Sequence, residues 1–433
     1  MQEPGKRKIS AGTIVMLMLT VLVLIGTGFV LIRLSSGKPV DLSRLQMSAL
    51  DLKEKTGEAG EEVSGGTSEI TGKPSAAQET QQPASETKTP EKTERVFTLT
   101  AAGTVSLDGE VRKNSYFSDV KQYDYYDVMM LLKKELTTDL NIVFLENLLT
   151  EEGKINDVTA AASGAAMLKA AGFNAAACGF ANAYSEAETG IQTTRKILTE
   201  QGIMPVGIYT SSGEEHFRIQ EINGIQTVLL QYTDTVASKT RNSMEKMEVS
   251  GLVPDAEAET IAMEIAQARA HGAEAVIVLL NWGKSGKAPD SAMRTLAQAV
   301  ADAGADLIIG NGSRIISGAE YLTAKDTGRE VLCVWSLGTV LSGNRNNIKW
   351  IAGMMLQATF RVENGRAEIR DVSYIPLYTW KYKQDGRYNY RCLAADGAYP
   401  DGMDTEQQKL MTKAAETVRN AMKNSPVEAR ISE

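Results

Sequence analysis

Histidine and cysteine are nearly absent from this chain. Two histidines (His216, His271) and three cysteines (Cys178, Cys333, Cys392) stand among 433 residues. Imidazole and thiolate are common metal ligands and neutral-pH bases, so their scarcity limits zinc sites and Ser-His-Asp or Cys-His chemistry. An odd cysteine count without close spacing gives no disulfide framework. Cys178 and Cys333 lie in apolar runs, where a thiol packs as a small hydrophobe. Excess positive charge is lacking too. The net charge is -8 and the isoelectric point about 5.2, so nucleic acid is not an expected partner. His271, just before Gly272, is expected at a helix C-terminus, where it favours the dipole. His216 follows the polar turn Ser212-Gly213-Glu214-Glu215 and is expected in solvent.

Charge is missing altogether from Ile9 to Ile32, an apolar run between Lys6-Arg7-Lys8 and Arg33. That length suffices for a membrane span of roughly 20 residues. The basic cluster before it puts residues 1–8 in the cytoplasm and the remainder outside. The chain is therefore expected to be a single-pass protein of the cell membrane, anchored through 9–33. Residues 34–94 are expected to form a disordered extracytoplasmic linker. Between Asp51 and Thr93 no aromatic residue occurs, and Glu, Thr, Ser, Gly, Gln and Pro dominate. Such a stretch cannot bury enough apolar surface to offset its ordering entropy.

The rest alternates strand and helix. Ala275-Val-Ile-Val-Leu-Leu280 is a continuous apolar run, as in a strand buried on both faces. After a polar break at Asn281-Trp282-Gly283-Lys284, Asp290-Ser291 opens an amphipathic helix closed by Gly304. Asp306-Leu-Ile-Ile309 is a second buried strand, ending in Gly310-Asn311-Gly312-Ser313-Arg314. This is a βαβ unit, whose working residues belong just beyond the strand C-termini. Further strands are expected at 96–103, 140–145, 173–179 and 224–231, with helices at 125–136, 159–171, 189–201 and 255–270. Beyond Arg314 the texture becomes β-like, with Asn364-Gly365 as a hairpin turn. Residues 406–422 are expected as a final surface helix. The fold class is α/β.

Several strand-end breaks, taken together, resemble the CapA family, bacterial proteins tied to poly-γ-glutamate capsule synthesis. The family opens with a strand ending Gly-Asp; here Gly103-Thr104 stands there. Its Asn-Leu-Glu is Phe144-Leu145-Glu146, and its Ala-Asn-Asn-His is Ala181-Asn182-Ala183-Tyr184. His-Trp-Gly appears as Asn281-Trp282-Gly283. Gly-Ala-Asp-Leu-Ile-Ile-Gly is intact from Gly304 to Gly310, but the following His-Pro-His has become Gly312-Ser313-Arg314. Ser-Leu-Gly-Asn reads Ser336-Leu337-Gly338-Thr339.

The resemblance implies a metallophosphatase-like layered α/β/β/α sandwich with mixed sheets. It implies a CapA-like domain over 95–396, leaving 397–433 as a C-terminal helix and tail. It also implies a degenerate member, because the family's Asp, Asn and His positions fall on Thr104, Ala183, Tyr184, Asn281, Gly312 and Arg314. No metal and no cofactor are expected. The pocket would be lined by Thr104, Glu146, Asn182, Tyr184, Asn281 and Arg314, and a guanidinium with amides and hydroxyls suits carboxylate or phosphate. The expected role is a non-catalytic binding or accessory factor in capsule or other surface-polymer synthesis, working with an acidic or phosphorylated ligand or within a capsule-synthesis complex. The alternative is a hydrolase or transferase using Glu146 as general base. Gly310-Asn311-Gly312 is no dinucleotide loop, since Ile315 replaces the third glycine. The tyrosines around 123–126 and 374–390 are expected to pack half-buried, with stacking on sugar or peptide as the other reading.

Overall fold

A computed structural model describes residues 94–430, apart from 248 and 250. The anchor and nearly all of the linker expected from the sequence lie outside these residues. Among the described residues no helix is long and apolar enough to cross a membrane.

Two mixed sheets carry the folded part. In chain order the strands are β1 (Val96–Val105), β2 (Leu140–Leu145), β3 (Ala175–Ala177), β4 (Met204–Val206) and β5 (Gln220–Ile222). Next come β6 (Ile225–Thr233), β7 (Ala275–Asn281), β8 (Leu307–Asn311), β9 (Ile316–Thr323) and β10 (Glu330–Leu337). The last are β11 (Thr339–Leu341), β12 (Ala352–Glu363), β13 (Arg366–Gln384), β14 (Arg387–Ala394) and β15 (Glu428–Ala429). The first sheet is nine-stranded in the order β14-β13-β12-β1-β2-β3-β4, with β11 beside β1 and β15 beside β13. Its half from β1 to β4 is parallel, and β12 to β14 form an antiparallel meander. The second sheet has six strands in the order β9-β10-β8-β7-β6-β5, parallel from β6 to β10 with antiparallel edges.

Side-chain alternation makes the layers. On β7, Ala275, Ile277 and Leu279 join a core cluster with Phe97, Leu99 and Ile142 of the first sheet. Val276, Val278 and Leu280 point the other way, onto helices α3 (Ala258–Ala270) and α4 (Ser291–Asp302). Ala102, Val143 and Ala176 of the first sheet face α1 (Ser163–Ala171) and α2 (Ala187–Glu200) through Met167, Leu168, Ile191 and Leu198. Each strand buries apolar groups on both faces, which is why these runs are continuous rather than alternating. Three clusters between four layers make an α/β/β/α sandwich.

Local signals hold where they are strong. Asp290 caps α4 by accepting from Met293 N at 3.0 Å, and Gly304 ends it at φ +102°. Asn364-Gly365 turns at φ +51° and +76°, the type I′ geometry that suits β twist. His271 is the C-cap of α3. Residues 125–136 form a 3-10 helix over Tyr126–Glu135 instead of an α-helix. Thr159–Ala161 is a short strand pairing with Leu148–Thr150, so α1 begins later than expected, at Ser163. α5 (Thr405–Met422), expected on the surface, buries Met411, Ala414, Val418 and Met422 in the inter-sheet layer.

Candidate functional site

The strands of both sheets end at one place. Thr104 is the last residue but one of β1, Glu146 follows β2, Asn281 ends β7 and Gly312–Arg314 follow β8. Glu146, Asn281, Gly312 and Arg314 line a cavity of about 490 Å3, with Thr104 buried behind them.

Glu146 is the hub. Its Oε2 accepts from Arg314 Nε at 2.8 Å and also from Arg314 Nη2. Its Oε1 accepts from Thr104 Oγ1 at 3.1 Å and from Asn281 Nδ2 at 3.4 Å. Asn281 Oδ1 in turn accepts from Thr235 Oγ1 at 2.9 Å, and the Asn311 amide lies 2.6 Å from Thr104 Oγ1. The carboxylate is thus buried with both oxygens engaged. Burial lowers the affinity of Arg314 for its proton, but the Glu146 and Asp108 charges outweigh this and hold it above its ordinary value.

The backbone is built around this pair. Arg314 sits at φ +61°, an unfavourable region for a long side chain, and Thr339 Oγ1 holds its carbonyl at 2.7 Å. Gly312 passes so close to β7 that a Cβ would lie 2.8 Å from both Trp282 N and Trp282 O. Trp282 is fully buried, donates from Nε1 to Trp335 O at 3.1 Å and stacks on the Trp335 ring.

Of the expected lining, Thr104, Glu146, Asn281 and Arg314 come together; Asn182 and Tyr184 do not. Asn182 is exposed, and its neighbour Ala181 reaches the cavity instead. Tyr184 is buried with its hydroxyl accepting from Val253 N at 3.0 Å, so it fixes a loop. The tight turn after β3 sends its side chain inward, which the pattern around it does not reveal. Asp234, Thr235, Lys284 and Asp290 also line the cavity and were missed. Asp234 obeys the strand-end rule, but β6 runs to Thr233 rather than Gln231, so its position was misplaced. His216 is a further correction. Its Nδ1 lies 2.7 Å from Glu264 Oε1, whose partner oxygen takes the Tyr232 hydroxyl at 2.6 Å. Helix α3 supplies that carboxylate, 48 residues away.

Residues 98–344, over half the chain, match the family described as bacterial capsule synthesis protein PGA_cap. The chain belongs to this family. PGA_cap membership agrees with the resemblance that the strand-end motifs carry. The PGA biosynthesis protein CapA of Bacillus subtilis (strain 168) is 29% identical over 119 residues, which are 27% of this chain and 30% of that protein. Among solved structures, a phosphatase of Mycoplasma pneumoniae is similar at TM-score 0.39 and 12% identity, covering 65% of this chain and 94% of that one. The calcineurin-like phosphoesterase YfkN of Bacillus subtilis is similar at TM-score 0.37 and 11% identity, covering 76% and 99%. So distant a likeness carries nothing about activity.

At the family's Asp, Asn and His positions the side chains of this PGA_cap member do not fit a metal centre. A divalent transition metal needs several ionised or imidazole donors converging at about 2 Å. The matched positions supply a hydroxyl at Thr104, a phenol at Tyr184 that already accepts from Val253 N, an amide at Asn281, no donor side chain at Ala183 or Gly312, and a guanidinium at Arg314. Glu146 is the one carboxylate that the matched motifs place at these strand C-termini, Asp306 lying at the far end of β8, and it is already bonded to that guanidinium. Among the described residues no group of three or more His, Cys, Asp or Glu gathers as a metal site.

Proposed function

We propose that this chain is a membrane-anchored, extracytoplasmic accessory factor of capsule or other surface-polymer synthesis. In this reading it binds an acidic ligand without turning it over, and it works beside the enzymes of a capsule-synthesis complex. The carrying observation is the Arg314–Glu146 ion pair on the cavity floor. A general base needs a carboxylate oxygen free to take a proton, and both oxygens of Glu146 are occupied. This disfavours the hydrolase or transferase reading through Glu146.

For binding, Arg314 keeps Nη1 outside the pair, and Lys284 is exposed on the cavity wall. Together they offer donors to a carboxylate or phosphate. The charge-free run 9–32 supports the anchor.

The test is calorimetry with γ-glutamyl oligomers and with inorganic phosphate. The parent is expected to bind one of them. The Arg314→Ala/Glu146→Gln double variant, which removes both charges together, is expected to lose that binding while remaining folded. Turnover of a γ-glutamyl polymer that disappears in Glu146→Gln would sink the accessory reading. A stoichiometric transition metal in protein purified without chelator would do the same. Deletion of residues 1–33 should move the chain from the membrane to the soluble fraction.

A further inference from the structure

Two tyrosine-rich stretches, far apart in sequence, meet at the edge of the first sheet. Strand β14 is that edge, and the 3-10 helix Tyr126–Glu135 packs against it. Between them lies a pocket of about 220 Å3 that shares no residue with the Arg314 cavity. Tyr125 and Tyr390 line it with 0% and 4% of their surface exposed. Both hydroxyls are buried and neither has a hydrogen-bond partner among the described residues. Leaving a buried polar group unpaired costs about 1–3 kcal/mol, and orphaned groups are uncommon. Two around one small pocket call for a ligand that supplies their partners. Burial raises both phenols, Tyr390 to about 12, so each keeps its proton at neutral pH and can donate as well as accept.

The mouth of the pocket is aromatic and open. Phe117, Tyr126 and Tyr388 are 37%, 51% and 44% exposed. Such rings give an apolar face beside polar groups, the arrangement that holds amphipathic molecules. Arg387 covers the Phe117 ring at 4.1 Å and Lys381 covers Tyr388 at 4.1 Å. Tyr126, half exposed, carries no such cover among the described residues. Asn389 adds an amide at the wall, and Arg391 is tied to Asp127 at 3.0 Å.

We propose that this pocket is a saccharide subsite that holds one pyranose ring of an acidic polysaccharide. A pyranose presents C–H faces to aromatic rings and a rim of hydroxyls that both donate and accept, matching the two orphan phenols and Asn389. Lys381 and Arg387, over the Tyr388 and Phe117 rings, attract the carboxylate of a uronic acid to the mouth, while Asp124 and Asp127 of the wall face its hydroxyls.

Saturation-transfer NMR and calorimetry on the full chain, in a detergent without a sugar headgroup, test this. Trigalacturonic acid is the probe and maltotriose the neutral comparison. Trigalacturonate is expected to bind, and Tyr126→Ala and Tyr390→Phe should each weaken it about tenfold or more. Tyr390→Phe keeps the ring and so the fold, while Tyr399→Ala, an exposed ring elsewhere, should change nothing. No transfer to trigalacturonate overturns the proposal, as does unchanged affinity in Tyr126→Ala. Maltotriose binding as tightly as trigalacturonate overturns the acidic assignment.

Discussion

Arg314 Nε lies 2.8 Å from Glu146 Oε2, joining residues 168 apart in the chain across the ends of two different sheets. The Glu146 side chain is 6% exposed and the Arg314 side chain 30%. The pair holds the turn after β8 against the end of β2, so the cavity floor is neutral and fixed.

Breaking this pair from one side should cost stability. Removing one partner of a buried ion pair typically costs 3–5 kcal/mol, and the partial exposure of Arg314 reduces this to about 2 kcal/mol for Arg314→Ala. Glu146→Gln should cost less, because the glutamine still offers an acceptor to Thr104. A urea-denaturation double-mutant cycle should give a favourable coupling energy above about 1 kcal/mol. Additive single losses would mean the pair contributes nothing.

Glycine at 310 is expected to be irreplaceable. A Cβ there would lie 2.3 Å from both Trp282 Nε1 and Trp335 O, neither of which is the free end of a flexible chain. Gly310→Ala should therefore destabilise by about 2–4 kcal/mol and disturb the buried tryptophan pair. Tryptophan fluorescence during denaturation reads both effects. A native-like spectrum with unchanged stability would contradict the packing described.

At the opposite end of β8, Asp306 is fully buried and receives Arg269, Arg329 and Arg366, and Val276 N donates to it at 2.8 Å. Burial lowers the Arg366 guanidinium from its ordinary value; Asp306 opposes this, while the two neighbouring arginines reinforce it. Asp306→Asn would leave three like charges together and should cost about 3 kcal/mol or more. Arg329→Met, which relieves repulsion as it removes one bond, should cost about 1 kcal/mol at most. Equal losses in chemical denaturation would argue against this electrostatic account.

Glu214 gives a pH signature. Burial pushes its pKa up, but Thr210 N at 2.7 Å, Thr210 Oγ1 at 2.8 Å and Arg195 at 2.9 Å outweigh that and hold it below its ordinary value. A lowered folded pKa means that the group stabilises the fold fully above its unfolded pKa of about 4.3 and loses this as pH falls through the folded value. Glu214→Gln should therefore be less stable than the parent by about 1 kcal/mol at pH 7. That gap should close as pH falls below about 4. Melting curves across pH 3 to 7, on the order of one per unit, would show it; a pH-independent gap would exclude the charged hydrogen bonds as its origin.

What the sequence determined by itself is local. Apolar runs and helical spacing marked the strand–helix alternation, because burial on one or both faces writes its period into the chain. Asn364-Gly365 and Gly304 marked a turn and a helix end, because few residues accept positive φ. The strand-end rule put Thr104, Glu146, Asn281 and Arg314 in one place, since parallel strands leave their C-termini on one side. Only the tertiary structure decided what those residues do to one another. Stacking the sheets brought Arg314 onto Glu146, carried Tyr184 inward to Val253, set His216 on Glu264 and closed the Tyr125–Tyr390 pocket. The direction of a side chain past the end of a strand depends on turn geometry and on partners far along the chain. Neither leaves a periodic trace in the sequence.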